Sequence, residues 1–197
     1  MSTNQASVPA ARSRLNLNPA EWGVQAYAEL GVALALAAVL GQVRLFVMPQ
    51  GGSVSLELLP IIFIAARRGV VPGLAAGVTY GLLQLLLPGA FVYHPAQALL
   101  DYPLAFTALA AAGLVRVRGF TTLVAAVAAG QAARLVFHFL SGVIFFAEYA
   151  PEWEAPWLYA ITYNVLYLVP EALLTCVLLW PLLKAYDAAF PGVRGST

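Results

Sequence analysis

The chain has 197 residues, 61% hydrophobic and only 10% charged, and its mean hydropathy is +0.82. Soluble domains carry about 25% charged residues, so this composition excludes an ordinary water-soluble domain. The formal net charge of +1 excludes the strongly basic surface that a nucleic-acid partner calls for.

Long apolar stretches bounded by charges, glycine or proline recur along the chain. That is the pattern of an all-α, polytopic membrane protein with six transmembrane helices. Residues 1–18 are polar and lack the apolar segment of a cleavable signal peptide. Asn18, Pro19, Ala20 and Glu21 read as a helix start: Asn caps, Pro fits the first turn and Glu favours the positive helix end. The first span is then expected over 22–47 and the second over 54–66. This second span is too short to cross the hydrocarbon core alone. It is expected to be tilted or surrounded by protein, and Pro60 to distort it. The remaining spans are expected over 70–88, 95–115, 120–147 and 157–186. The six-helix domain thus covers 19–187, with tails at 1–18 and 188–197.

Charge sidedness orients the chain. Arg12, Arg14, Arg67, Arg68, Arg116, Arg118, Lys184 and Arg194 all fall on one side of a six-span topology. The opposite loops are expected to hold no Lys or Arg, and one of them carries Glu148, Glu152 and Glu154. The positive-inside rule places both termini in the cytoplasm of a plasma-membrane protein.

Span three carries Gly69, Gly73, Gly77 and Gly81 at four-residue spacing, a smooth stripe for close helix packing inside the bundle. Gly31 and Ala35 in span one form a shorter small-residue pair, continued by Ala38 and Gly41, suited to docking a partner. Asp101-Tyr102-Pro103 lies early in span four. A carboxylate inside an apolar span is costly, so Asp101 is a functional candidate. His94, before Pro95, begins that helix. On span five, His138, Gly142 and Phe146 share one face, with Arg134 one turn deeper and in need of Asp101 or Glu171 as counter-charge. Span six opens with Tyr159, Tyr163, Asn164 and Tyr167. At least two of these tyrosines read as interfacial belt residues, whereas a buried Asn164 amide needs partners.

Several chemistries have no residues to carry them. The one lysine, Lys184, precedes Ala185, so no Walker A loop exists. Two histidines and the lone Cys176 are scattered over different spans, which argues against a metal site. No GxSxG or HExxH occurs, so nothing nominates an enzyme, and no cofactor is called for.

Five stretches together resemble one family: GGSVSLELLPI, ARRGVVPGLAAGVTYGLLQLLLPG, HPAQALLDYPLAF, HFLSGVIFF with EYAPE, and WLYAITYN. They are similar to the thiamin-specific S-components (ThiT family) of energy-coupling-factor (ECF) transporters, over about residues 24–185. The resemblance implies a six-helix substrate-binding subunit that takes thiamin from outside and works docked on an ECF transmembrane coupling protein with two cytoplasmic ATPases. It implies transport by toppling of the whole subunit in the bilayer. It assigns Asp101 as the ligand-facing acid that balances the thiazolium, and Tyr102, His138 and Gly142 as pocket residues. Tyr159 and Asn164 match the pair that hydrogen-bonds the aminopyrimidine. The chain departs from the pattern at Phe146, where some members have Trp, and at Phe91, where Tyr is common. Its first outer loop, 48–53, lacks a tryptophan that some members fold over the ligand. A thiamin precursor such as hydroxymethylpyrimidine is the alternative ligand. An intramembrane lipid enzyme is the alternative of a different class.

Overall fold

A computed structural model describes residues 22–190. The helix start at Asn18–Glu21 and Arg12, Arg14 and Arg194 lie outside the described residues. Six helices build the structure: α1 (Val24–Leu40), α2 (Leu58–Arg68), α3 (Val70–Gln84), α4 (Pro95–Leu114), α5 (Phe120–Phe145) and α6 (Pro156–Ala189). Among them α4, α5 and α6 are long and apolar enough to span a membrane, and α1 and α3 are shorter apolar helices. The all-α, six-helix expectation is borne out. A short antiparallel ribbon of β1 (Phe46–Val47) and β2 (Ser53–Val54), not expected from the sequence, lies between α1 and α2.

Span one ends seven residues earlier than expected. At Gly41 a Cβ would sit 2.6 Å from the Tyr80 hydroxyl and 2.7 Å from the Glu57 carboxylate. The chain closes against α3 there and turns away. Arg44 consequently leaves the helix for a loop, where it donates to the Pro88 carbonyl at 3.2 Å. The loops opposite the arginine-rich end therefore do contain one basic residue, which corrects the charge-sidedness reading. Gly41 also faces inward, so it does not continue the surface of Gly31 and Ala35, both of which are exposed.

The short helix α2 is surrounded by protein: Leu58, Ile61, Ile62 and Ala65 are each 0% exposed. Its start at Leu58 puts Pro60 in the first turn, where no intrahelical N–H partner is required. Pro60 thus fits the helix rather than distorting it.

The glycine stripe packs α3 onto α4. A Cβ on Gly77 would meet the Phe106 carbonyl oxygen at 2.3 Å, and one on Gly81 would meet Pro103 Cα at 2.6 Å. Close backbone approach of this kind is what small residues allow between membrane helices, where van der Waals packing replaces the hydrophobic drive. Tyr80, 0% exposed, fills the seam with its ring edge-on to Phe106 at 4.9 Å.

Helix α4 is not a regular α-helix. His94 caps it: its Nδ1 accepts from the Ala96 N–H at 3.1 Å, and Gln97 reaches back to the Tyr93 N–H at 2.8 Å. Residues Leu100–Leu104 then form a π-turn containing Pro103. Pro lacks an N–H and crowds the preceding turn, and a widened turn relieves both problems. Such π-turns recur at functional sites. Here the widened turn carries Asp101 and Tyr102.

Candidate functional site

The loops joining α1 to α2, α3 to α4 and α5 to α6 meet at one end of the bundle, above an open cavity. All eight residues proposed for the ligand line it: Phe91, Asp101, Tyr102, His138, Gly142, Phe146, Tyr159 and Asn164. They come from α4, α5, α6, the loop before α4 and, for Phe146, the first residue after α5.

Asp101 is the hub of the polar wall. Its Oδ2 accepts from Ser141 Oγ at 2.7 Å and from Gln97 Nε2 at 2.7 Å, and its Oδ1 lies 2.9 Å from His138 Nδ1. Gln97 reaches it from one turn earlier on α4, and Ser141 from α5. The Arg134 Nε–H donates to His138 Nε2 at 3.0 Å. That bond makes Nε2 the acceptor and leaves the imidazole proton on Nδ1, directed at Asp101. Arg134 itself pairs with Glu171 at 2.8 Å and lies 3.9 Å from Glu57. Its guanidinium also stands 4.7 Å from the Phe106 ring. Of the two counter-charges expected for Arg134, Glu171 is the direct one, and Asp101 is reached only through His138.

Aromatic side chains make the other walls. Phe146 is 9% exposed and its ring lies 6.1 Å from those of Phe91 and Tyr93. The Tyr102 hydroxyl accepts from the Phe91 N–H at 2.6 Å and donates to the Phe91 carbonyl at 3.1 Å, which holds the α3–α4 loop over the cavity. Tyr163 does the same for the first loop: its hydroxyl accepts from the Gly52 N–H at 3.1 Å and donates to the Pro49 carbonyl. Tyr167, 5% exposed, donates to Asn164 Oδ1 at 2.7 Å. Both Tyr163 and Tyr167 line the cavity, so the interfacial-belt reading is wrong for these two.

The Asn164 amide finds its partners on protein, donating to the Ala160 carbonyl at 2.8 Å and more weakly to the His138 carbonyl at 3.4 Å. A Cβ on Gly142 would lie 2.8 Å from Ala160 Cβ. Gly142 therefore also sets how closely α5 and α6 approach. Two glycines shape the mouth at positive φ. Gly51 (φ 95°) packs on Phe91, and Gly89 (φ 89°) leaves room for Arg44.

Sequence reasoning missed Glu57, Gln84, Gln97, Ser141 and Arg44, all of which line the cavity. Gln97 and Ser141 carried a usable signal, since they sit one turn from Asp101 and on the His138 face respectively. Glu57 and Gln84 did not, because each reaches the cavity only through packing of α2 and α3. The loop acids Glu148, Glu152 and Glu154 are not among the lining residues. Among the described residues, no group of three or more His, Cys, Asp or Glu side chains is placed to hold a metal ion.

A helical membrane bundle with a water-accessible, aromatic-walled cavity and a carboxylate held at its centre is the architecture of a substrate-binding transport protein. Comparison with known proteins narrows this class. The thiamine transporter protein family (Thia_YuaJ) matches residues 27–191, and the chain belongs to that family. It is 36% identical over 165 residues to the thiamine transporter ThiT of Bacillus subtilis, covering 77% of this chain and 86% of that protein. It is 32% identical over 155 residues to ThiT of Lacticaseibacillus paracasei, covering 71% and 77%. Its fold matches a solved structure of ThiT from Listeria monocytogenes with a TM-score of 0.75 at 27% identity, over 84% of this chain and 97% of that one. The chain is thus a multi-pass membrane transporter of the ThiT family and not an enzyme.

Proposed function

We propose that this protein is the thiamin-binding S-component of an ECF transporter, taking thiamin into the cavity from outside the cell. The observation that carries this reading is the pairing of a fixed carboxylate with a ring of aromatic faces. Asp101 holds three hydrogen-bond donors, and Phe91, Phe146, Tyr159, Tyr163 and Tyr167 surround the same space. Thiamin is a flat cation with a donor-bearing aminopyrimidine. Aromatic faces suit the cation and the stacked ring, with cation–π attraction worth about 0.5–2 kcal/mol. Asp101, His138 and Asn164 line the same cavity as the polar groups proposed to meet the pyrimidine, with Tyr159 and Tyr102 beside them.

Delivery inward then requires the ECF coupling protein and its two ATPases, because this chain has no nucleotide-binding loop of the Walker A type. The exposed small-residue face at Gly31 and Ala35 is the proposed docking surface. Among the described residues, nothing beyond the local α1 backbone stands within 4 Å of where a Gly31 Cβ would be. With Arg67, Arg68, Arg116, Arg118 and Lys184 at the end away from the cavity, the positive-inside rule puts the cavity outside and both termini in the cytoplasm.

The test is to purify the chain in detergent, identify bound small molecules by mass spectrometry and titrate with thiamin while following tryptophan fluorescence. Saturable binding is expected. Absence of binding for thiamin and for hydroxymethylpyrimidine at micromolar concentration in folded protein would overturn the assignment. Binding of the pyrimidine with none of thiamin would favour the precursor as the ligand.

A further inference from the structure

Arg44 stands at the cavity mouth without an acid to balance it. It is half-buried and lines the cavity from the loop between α1 and the β-ribbon. Its Nη2 donates to the Pro88 carbonyl at 3.2 Å, its one hydrogen bond among the described residues. None of the ion pairs among those residues includes it. Its remaining guanidinium N–H groups are unpaired yet not enclosed by protein, which leaves them to solvent at the mouth.

The guanidinium has a shaped seat. A Cβ on Gly89 would lie 2.3 Å from Arg44 Nη2 and 2.7 Å from both Cζ and Nη1. The group therefore rests directly on glycine backbone, at a φ of 89° that L side chains rarely adopt. The acids that line the same cavity are already used. Glu57 accepts from Tyr80 at 2.7 Å and from Gln84 at 3.0 Å, and Asp101 holds Gln97, Ser141 and His138. Arg134, the other cation lining the cavity, is committed to Glu171 at 2.8 Å and to His138 at 3.0 Å.

Thiamin alone gives Arg44 no role, because an unbalanced cation at the mouth opposes the entry of another cation. An arginine fork is the side chain best matched to phosphate, through parallel charge-assisted N–H···O bonds. Thiamin is esterified with phosphate on its hydroxyethyl arm, at the end of the molecule away from the aminopyrimidine. With the aminopyrimidine on the polar wall of α4, α5 and α6, that arm is the part left to reach the α1–α2 and α3–α4 loops. Resting on the thiamin reading above, we propose that Arg44 is an anion-recognising subsite for a phosphate ester on this arm. It is the side chain that sets selectivity between thiamin and its phosphate ester, working against the unesterified cation and for the ester.

The experiment titrates purified wild-type, Arg44→Gln and Arg44→Lys proteins in detergent with thiamin and with thiamin monophosphate. R44Q is expected to weaken the monophosphate by about tenfold or more, while thiamin affinity stays within about twofold of wild type. R44K, which keeps the charge and loses the fork, is expected to fall between the two for the monophosphate. Added salt should weaken the monophosphate more than thiamin in wild type, a comparison that stands even if neither variant folds. An R44Q protein that binds the monophosphate as wild type does, or that loses both ligands by the same factor, would overturn the proposal. So would an advantage of wild type over R44Q that vanishes in nanodiscs of phosphatidylglycerol, since a lipid phosphate would then occupy Arg44. If wild type binds thiamin and takes up no monophosphate, the proposal fails with the ligand assignment intact. If it binds neither, the functional reading itself fails.

Discussion

The two ends of the bundle treat charge in opposite ways. At the end away from the cavity, the acids Glu29 and Asp187 each have a direct arginine partner. Arg68 forms a two-point pair with Glu29 at 2.7 and 2.6 Å, Tyr186 also donates to Glu29, and Arg67 pairs with Asp187 while its guanidinium lies 4.2 Å from the Tyr186 ring. These contacts tie α1, the α2–α3 junction and the C-terminal part of α6 together. At the cavity end three carboxylates share Arg134, and acceptors remain open. Matched charge serves to hold helices, whereas unmatched charge in a desolvated cavity is an interaction held in reserve for a ligand.

The sharpest way to break this comparison is to remove the guanidinium buried among those carboxylates. Arg134→Met leaves Glu171 and Glu57 buried without their cation, and a loss of about 3–5 kcal/mol is expected. It should appear as a lowered thermal midpoint in detergent together with loss of thiamin binding. A midpoint equal to wild type would show that the carboxylates do not depend on Arg134. Next comes Asp101→Asn, which removes charge-assisted hydrogen bonds worth about 1.5–3 kcal/mol. Thiamin affinity should fall roughly 10- to 100-fold by calorimetry, and the thermal midpoint of the empty protein should fall as well, because Gln97, Ser141 and His138 lose the same charged acceptor.

At the matched end the effect should be smaller and of another kind. Glu29→Gln breaks the Arg68 pair and is expected to cost about 1 kcal/mol of stability, with thiamin affinity unchanged. A fall in affinity there would mean that the two ends are coupled. The smallest effect is expected at the aromatic wall. Phe146→Trp offers a better cation–π face and should tighten thiamin by about 0.5–1 kcal/mol, read as a slower off-rate. Tightening of a neutral isostere by the same factor would assign the gain to stacking alone.

Much of this arrangement was legible in the chain itself, and the exceptions have physical causes. Helix number and the buried packing role of the Gly69–Gly81 stripe follow from hydropathy and four-residue spacing, the cost of polar groups in lipid marks Asp101, His138 and Asn164 singly, and their grouping into one site came from the family resemblance. The end of α1 was not legible, because apolar residues continue past Gly41 and only contact with Tyr80 and Glu57 stops the helix there. Arg44 was misplaced for the same reason. Tyr163 and Tyr167 have the composition of belt residues, and what distinguishes them is a hydrogen bond each, to the 49–52 loop and to Asn164. Glu57 precedes a short apolar helix and looks like a loop acid until α3 brings Tyr80 and Gln84 to it. In each case the missing information was a long-range contact, which no local pattern contains.

If the charge-unbalanced end of the bundle is a thiamin site, isothermal titration of the purified chain with thiamin, run beside D101N and E29Q, tests it most directly. One-to-one saturable binding is predicted for wild type, the same binding for E29Q, and at least a tenfold weaker affinity for D101N. Folded wild-type protein that takes up no thiamin at micromolar concentration, or D101N that binds it as tightly as wild type, would contradict that assignment.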